Sequence, residues 1–199
     1  DESVTDEATA MVEDYRAAYE ELLEGEEWLS DSTRTRAIGK VRAMRVQVGH
    51  PDSWPSTEGM VVRSRAEGGT LFGETRQMAA YDLQQELYLL RHPDEGTYWR
   101  DCMDVNAYYD AATNSVTVGV GLLGGVYWPQ GGSYEERLAG VGMTIGHELG
   151  HAFDDYGAYF DENGAYEQWW TSDDLRAFED RVQVVCDALE EMDPLGSGT

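Results

Sequence analysis

The stretch VGMTIGHELGHAFDDYG, residues 141–157, decides how the rest of the chain is read. At its centre stand His147, Glu148, Leu149, Gly150 and His151. A four-residue step on an α-helix falls within about 40° of a whole turn, so both imidazoles project from one face, one turn apart. Two nitrogens placed in this way form a clamp for Zn²⁺. Glu148, beside the first histidine, can reach a water on the open side of the ion and act on it as general base. Three fixed residues also recur by chance on solvated helix faces. Here the flanks are apolar: Val141, Met143 and Ile145 precede the motif, and Leu149, Ala152 and Phe153 continue the run. Half of the chain's 4 histidines lie in this segment, the others being His50 and His92. The motif therefore reads as a zinc site on an otherwise buried helix, with His147 and His151 as ligands.

The composition is compatible with one domain that has a real core, since 199 residues with 41% hydrophobic and 11% aromatic content can fill an interior. The charge is extreme: 39 acidic residues stand against 14 basic ones, for a net charge of -25, and Lys40 is the sole lysine. Such a surface repels nucleic acid and anionic membrane, which excludes both as partners. No apolar run approaches the roughly 20 residues that span a bilayer, and DESVTDEATA at the N-terminus is neither basic nor apolar. The expectation is a soluble, cytoplasmic protein, with secretion as the alternative had a leader been removed. Cys102 and Cys186 form no CxxC pair and are expected to be free thiols.

Taken in order, Met11, Val12, Tyr15, Tyr19, Leu22 and Leu23 recur at three- and four-residue steps and predict a helix over about residues 5–23. Ser30 or Asp31 caps a second helix, expected to run to about residue 48 with Ala37, Ile38, Val41, Met44 and Val48 on its buried face. Arg34, Arg36, Lys40, Arg42 and Arg45 share that helix and are expected to pair with carboxylates. His50-Pro51 and Pro55 break the chain. Leu71, Met78, Tyr81, Leu83, Leu87 and Leu90 carry a third helix, ended by the turn at residues 92–96. From Met103 the period changes to two. Val105, Ala107 and Tyr109 alternate with polar neighbours, and the turn at residues 110–114 leads into Ser115, Val116, Thr117 and Val118, a β-hairpin. The glycines of residues 119–132 lack phosphate-loop spacing. A last helix is expected from Thr171 or Ser172 to about residue 189, with Leu175, Phe178, Val182, Val185 and Leu189 as its stripe. The fold class is thus α+β, mainly helical: residues 1–100 are chiefly helical, and residues 101–199 hold the hairpin, the zinc helix and the helix after it.

GMTIGHELGHAFDDYGAYFDENGAYEQWWT, preceded about forty residues earlier by VNAYYDAATNSVTV, closely resembles the neprilysin and endothelin-converting-enzyme family of zinc metallopeptidases. The likeness extends upstream through EEWLSDSTRTRAIGKVRAMRVQVGHPDSW and covers most of the chain. It implies a thermolysin-like zincin catalytic lobe with a small antiparallel sheet, in which peptide substrate binds as an added strand. It implies that Asn106 binds substrate backbone through its side-chain amide and Ala107 through its carbonyl. It also implies that Asp154 holds a ligand imidazole and fixes the tautomer that donates to zinc. Glu148 would take the proton of an activated water and pass it to the leaving amine.

A catalytic zinc takes three protein ligands. The metzincin position for a third histidine is Gly157. Glu162, Glu167 and Glu179 are followed four residues later by Tyr166, Thr171 and Gln183, not by the Asp of thermolysin-like enzymes. In the resembled family the ligand Glu lies roughly sixty residues beyond the second His, and the transition-state His and Arg later still. The expectation is a C-terminally incomplete part of a catalytic domain, weak or inactive by itself, with a second chain as one source of the remaining ligand. The alternative is a non-catalytic zinc-binding or interaction module derived from such a peptidase.

Overall fold

The computed structural model describes residues 2–51, 54, 57–92 and 102–192. The turn at residues 93–96, most of the proline-rich break and the polar tail at 193–199 lie outside the described residues. The chain divides into two compact units, one of Asp1–His50 with Asp101–Thr199, the other of Pro51–Arg100.

In the larger unit, α1 (Glu2–Gly25) buries Met11 and Val12 of the expected stripe together with Ala8, half-buries Tyr15 and Tyr19, and leaves Leu22 exposed. Helix α2 spans Asp31–Ala43 and starts at Ser30, whose hydroxyl accepts from the Thr33 amide. It stops short of the expected end: Arg45–Gly49 is a strand, β1. Val48 fits a helical stripe with Ala37, Val41 and Met44, but Val46 and Val48 also alternate with period two, and short apolar runs do not separate these readings. Pairing decides it. β1 lies parallel to β3 (Ser115–Gly119), with Val46 opposite Val116 and Val48 opposite Val118.

The hairpin forms as expected, β2 (Ala107–Asp110) running antiparallel to β3. The sheet order is β1-β3-β2, so the small sheet is mixed and not purely antiparallel. β3 is central and buried along its whole length, while β2 keeps one edge open. The hairpin turn closes on Asn114, a buried residue with φ of 46°. Its amide donates to the carbonyls of Lys40 at 3.0 Å and Glu162 at 3.1 Å, and its oxygen accepts from the Tyr109 hydroxyl at 3.0 Å. Asn tolerates the left-handed region better than most residues, and these bonds hold it there.

Short helix α4 (Tyr134–Arg137) runs through a π-turn, Leu138–Gly142, into α5 (Met143–Gly150). The π-turn has a local cause: the Val141 amide donates to the Tyr127 carbonyl at 3.1 Å, outside the helical ladder. Val141, Ile145 and Leu149 enter the main core with Met11, Val12, Val116 and Val118. Gly142, Gly146 and Gly150 present a face without Cβ atoms to α1. A Cβ on Gly146 would lie 2.8 Å from the Tyr15 ring, and the Tyr19 hydroxyl donates to the Gly146 carbonyl at 2.8 Å. Met143 and His147, by contrast, are exposed, so the zinc helix is buried on two sides and open on a third.

Helix α6 (Ser172–Glu190) begins at Thr171 and is tied to the start of α2 by one carboxylate. Asp174, 3% exposed, accepts from the Ser30 amide and from the hydroxyls of Ser30, Thr33 and Thr171 at 2.6–2.8 Å. Beside this junction Leu29, Ala37, Ala158, Trp169 and Trp170 form a second core. Further along α6, Val182, Val185 and Leu189 are exposed, so only the first part of the expected stripe is covered.

The smaller unit contains α3 (Leu71–Leu89), capped by Thr70. The apolar residues expected to carry it, Leu71, Met78, Leu83, Leu87 and Leu90, are exposed, and Glu74 is its buried residue, accepting from the Arg63 amide at 2.9 Å. Among the described residues no helix is long and apolar enough to cross a membrane.

Burial works against ionisation of Asp174, but the bonds from Ser30, Thr171 and Thr33 outweigh it and hold the carboxyl at about 2. With an ordinary value near 4 in the unfolded chain, this contributes about 2–3 kcal/mol of stability. That contribution is complete above about pH 5 and lost as pH falls through about 2. Urea unfolding at graded pH should therefore separate wild type from Asp174→Asn by about this amount at pH 6, with the two curves converging near pH 2.

Candidate metal centre

The exposed side of α5 and the turn after it carry the site. The Nε2 atoms of His147 and His151 lie 3.1 Å apart. Two nitrogens on one tetrahedral zinc, each about 2.05 Å from the ion, would be separated by about 3.3 Å, so the pair fits that metal. His147, Glu148 and His151 bring their ligand atoms within 4.8 Å of one another, and among the described residues no further His, Cys, Asp or Glu joins them. Glu162 and Glu167, considered above for the third place, are instead taken up by Arg36 at 3.3 and 3.6 Å.

Glu148 is buried, which raises its carboxyl above the usual range, against the opposing effects of His151, the Tyr109 amide and His147. Its Oε2 accepts from the Tyr109 main-chain N–H at 2.9 Å. This contact follows from the hairpin. The Asn106 carbonyl accepts from the Gly119 amide at 3.0 Å, and antiparallel pairs alternate, so Ala107 and Tyr109 turn their main-chain groups away from β3. Tyr109 spends its outward N–H on Glu148. Ala107, whose side chain is buried in the core, presents its main chain on the same open edge. Asn106 stands exposed just before the strand. Neither Asn106 nor Ala107 lines the cleft of about 210 Å³ formed by Tyr108, Tyr109, Ala111, Glu148, His151, Asp154 and Tyr156.

His151 ends the helix, and the chain continues as a 3₁₀ turn to Phe153, after which Asp154 is extended. Oδ2 of Asp154 meets Nδ1 of His151 at 2.6 Å. That contact assigns the Nδ1 proton and leaves Nε2 as the donor atom toward a metal. Oδ1 accepts from the amides of Tyr156 at 2.9 Å and Gly157 at 2.6 Å. Burial opposes ionisation of Asp154, but the Gly157 amide, the His151 ring and the Tyr156 amide together hold it below the usual carboxylate range.

Two contributors carry no recognised motif. The Tyr109 amide is a main-chain group and invisible in side-chain patterns. Lys40, expected to pair with a carboxylate, is 1% exposed and donates instead to three carbonyls, of Ala152 at 2.9 Å, Gly157 at 2.7 Å and Phe160 at 2.6 Å. The available signal was its position, three residues after Ala37 and four before Met44, on the apolar side of α2.

A mainly helical α+β chain whose central helix offers two imidazoles and a buried glutamate defines the zincin class of site. Two models of Peptidase family M13 match it, over residues 1–51 and residues 106–198. The neutral endopeptidase of Lactobacillus helveticus is 31% identical over 181 residues, covering 90% of this chain and 28% of that protein. Neprilysin of Mus musculus is 28% identical over 180 residues, covering 88% and 24%. The zinc metalloprotease ZMP1 of Mycobacterium tuberculosis, solved with an inhibitor, superposes with a TM-score of 0.80 at 26% identity, covering 96% of this chain and 29% of that one. The chain belongs to peptidase family M13. It spans a third or less of the length of these relatives.

Gly157 leaves no room for a side chain, since a Cβ would lie 1.8 Å from the His151 carbonyl oxygen. Gly157→Ala is expected to cost about 1–3 kcal/mol in urea unfolding, because backbone must move. Gly124→Ala, with nothing within 4 Å of the new Cβ, is expected to stay within about 0.5 kcal/mol of wild type.

Proposed function

We propose that this chain supplies the base and two of the metal ligands of a zinc peptidase active site. The observation that carries the reading is the convergence of His147 and His151 at 3.1 Å with Asp154 locked onto the far side of His151. Those residues would hold Zn²⁺ through the two Nε2 atoms, and the ion, when bound, would supply Lewis acidity toward a peptide carbonyl and water. Glu148 then acts as the proton carrier. Its carboxylate, raised in basicity by burial, takes a proton from the attacking water and returns it to the leaving nitrogen. The Tyr109 amide keeps the carboxylate aimed during both transfers.

The open edge of β2 suits an extended peptide, which would add as a strand beside it. Ala107 would accept from substrate main chain through its carbonyl, and Asn106 would contact it through its amide. The names of the family relatives, neutral endopeptidase among them, support peptide as the substrate class. A catalytic zinc takes three protein ligands, and the described residues offer two imidazoles. We assign the third to the part of the family's length that this chain does not span or to a second polypeptide, and expect the chain by itself to hydrolyse peptide weakly or not at all.

Chelator-competition titration tests the reading. Wild type should bind one Zn²⁺, and Glu148→Gln should bind it comparably, whereas His147→Ala should lose affinity by roughly 100-fold or more. In a polypeptide of the relatives' length, Glu148→Gln should lower kcat/KM by roughly 100-fold or more with the metal retained. Equal turnover by Glu148→Gln and wild type would end the assignment of the base.

A further inference from the structure

Lys40 does not line the cleft, yet its hydrogen bonds lead toward it. Its ammonium has three N–H donors, and the carbonyls of Ala152, Gly157 and Phe160 use all three at 2.6–2.9 Å. These carbonyls bracket Asp154. The middle one belongs to Gly157, whose own N–H donates to Asp154 Oδ1 at 2.6 Å. One residue, Gly157, therefore links the lysine's grip to the carboxylate that orients His151. The same ammonium faces the rings of Phe153 and Tyr109 at 5.9 Å, and the Tyr109 main chain holds Glu148.

We propose that Lys40 is a positioning residue of the metal centre, which sets Asp154 against His151 by clamping the carbonyls on both sides of it. The proposal rests on the zinc reading above. Its physical content is that residues 151–160 form no continuous helix or strand. They run as two 3₁₀ turns, His151–Phe153 and Gly157–Tyr159, with Asp154 extended after the first. Their carbonyls lack a regular ladder, and a buried cation gathers three of them onto one point. The clamp is anchored in turn, because the Lys40 carbonyl accepts from Asn114 and Ala37 of α2 lies in the second core. Side chains that orient a metal-binding histidine typically change metal affinity by roughly 10–100-fold when removed.

The test uses the 199-residue chain with Lys40→Met and Lys40→Arg. Helix content by circular dichroism establishes folding. Two quantities are then read: zinc affinity by chelator competition, and the His151 tautomer from imidazole ¹⁵N shifts in the absence of metal. Wild type should show His151 protonated on Nδ1. Folded Lys40→Met should mix the tautomers and bind zinc at least 10-fold more weakly, with partial recovery in Lys40→Arg. In an Asp154→Ala background, Lys40→Met should change zinc affinity less than twofold, because both act on His151 along one path. A folded Lys40→Met chain with wild-type tautomer and affinity overturns the proposal, as does a loss that multiplies with that of Asp154→Ala.

Should Lys40→Met not fold, the wild-type chain still decides. Lys40 is the sole lysine, so ¹⁵N-lysine labelling gives one side-chain signal. Coupling is reciprocal, and zinc saturation should therefore slow exchange of its ammonium protons. Unchanged or faster exchange overturns the proposal. If wild type binds no zinc, the metal reading itself fails, and the His151 tautomer in the Lys40 variants still judges the clamp.

Discussion

A single buried ammonium holds together the parts of this chain that meet at its site. Removing a charge from water costs several kcal/mol, and that cost is recovered only when every donor finds a partner. Lys40 meets the condition with three carbonyls and the flanking rings of Tyr109, Phe153 and Trp169. Burial pulls its pKa down to about 8, against the attraction of Asp161, Asp154 and Glu162, so it remains mostly protonated at neutral pH. Helix α2 delivers the charge, Asn114 ties the hairpin turn to the carbonyl of the same residue, and residues 152–160 wrap around its tip.

The zinc helix depends on that arrangement because a helix alone positions ligands incompletely. Helical periodicity places His147 and His151 on one face, but it does not fix ring rotation or tautomer, nor does it aim Glu148. Those come from elsewhere. Asp154 sets His151 from the irregular segment, Tyr109 sets Glu148 from the open edge of β2, and the glycine face of α5 lets α1 close against its back. The last two are long-range relations, whereas Asp154 is only three residues from His151 but leaves the helical path to reach it. The site is thus assembled from three directions onto one helix.

This division explains what could be read in advance. The α1 stripe, the hairpin, the cap at Ser30 and the His147-Glu148-His151 spacing depend on neighbours a few residues apart, and the structure has each of them. The end of α2 differs from the expectation because Val48 satisfies both periods, and the tie is broken by a strand 70 residues away. The stripes of α3 and α6 promised burial that Leu83, Leu87, Val185 and Leu189 do not have, since periodicity describes the face a helix offers and not whether anything meets it. Lys40 was misplaced for a related reason. The acidic composition suggests a carboxylate partner, whereas its position on the apolar side of α2 is the weaker but correct signal of burial.

The preference of Lys40 for carbonyls over a carboxylate follows from what the site requires. In a chain with 39 acidic residues a carboxylate partner was readily available. A carboxylate bound at the ammonium would take up its donors on one side chain and leave the carbonyls of residues 152, 157 and 160 to find others. It would also place a second negative group near Asp154, whose ionised form must be held for the His151 contact. Carbonyls satisfy the ammonium without adding charge, and each tethers a different point of the irregular segment. The positive field then remains available to Asp154, Asp161 and Glu162, which lie near enough to feel it but do not bond to it. One cation thereby constrains the path of the loop and favours the ionised carboxylate that the loop presents, two effects that a buried ion pair at the same position would not combine.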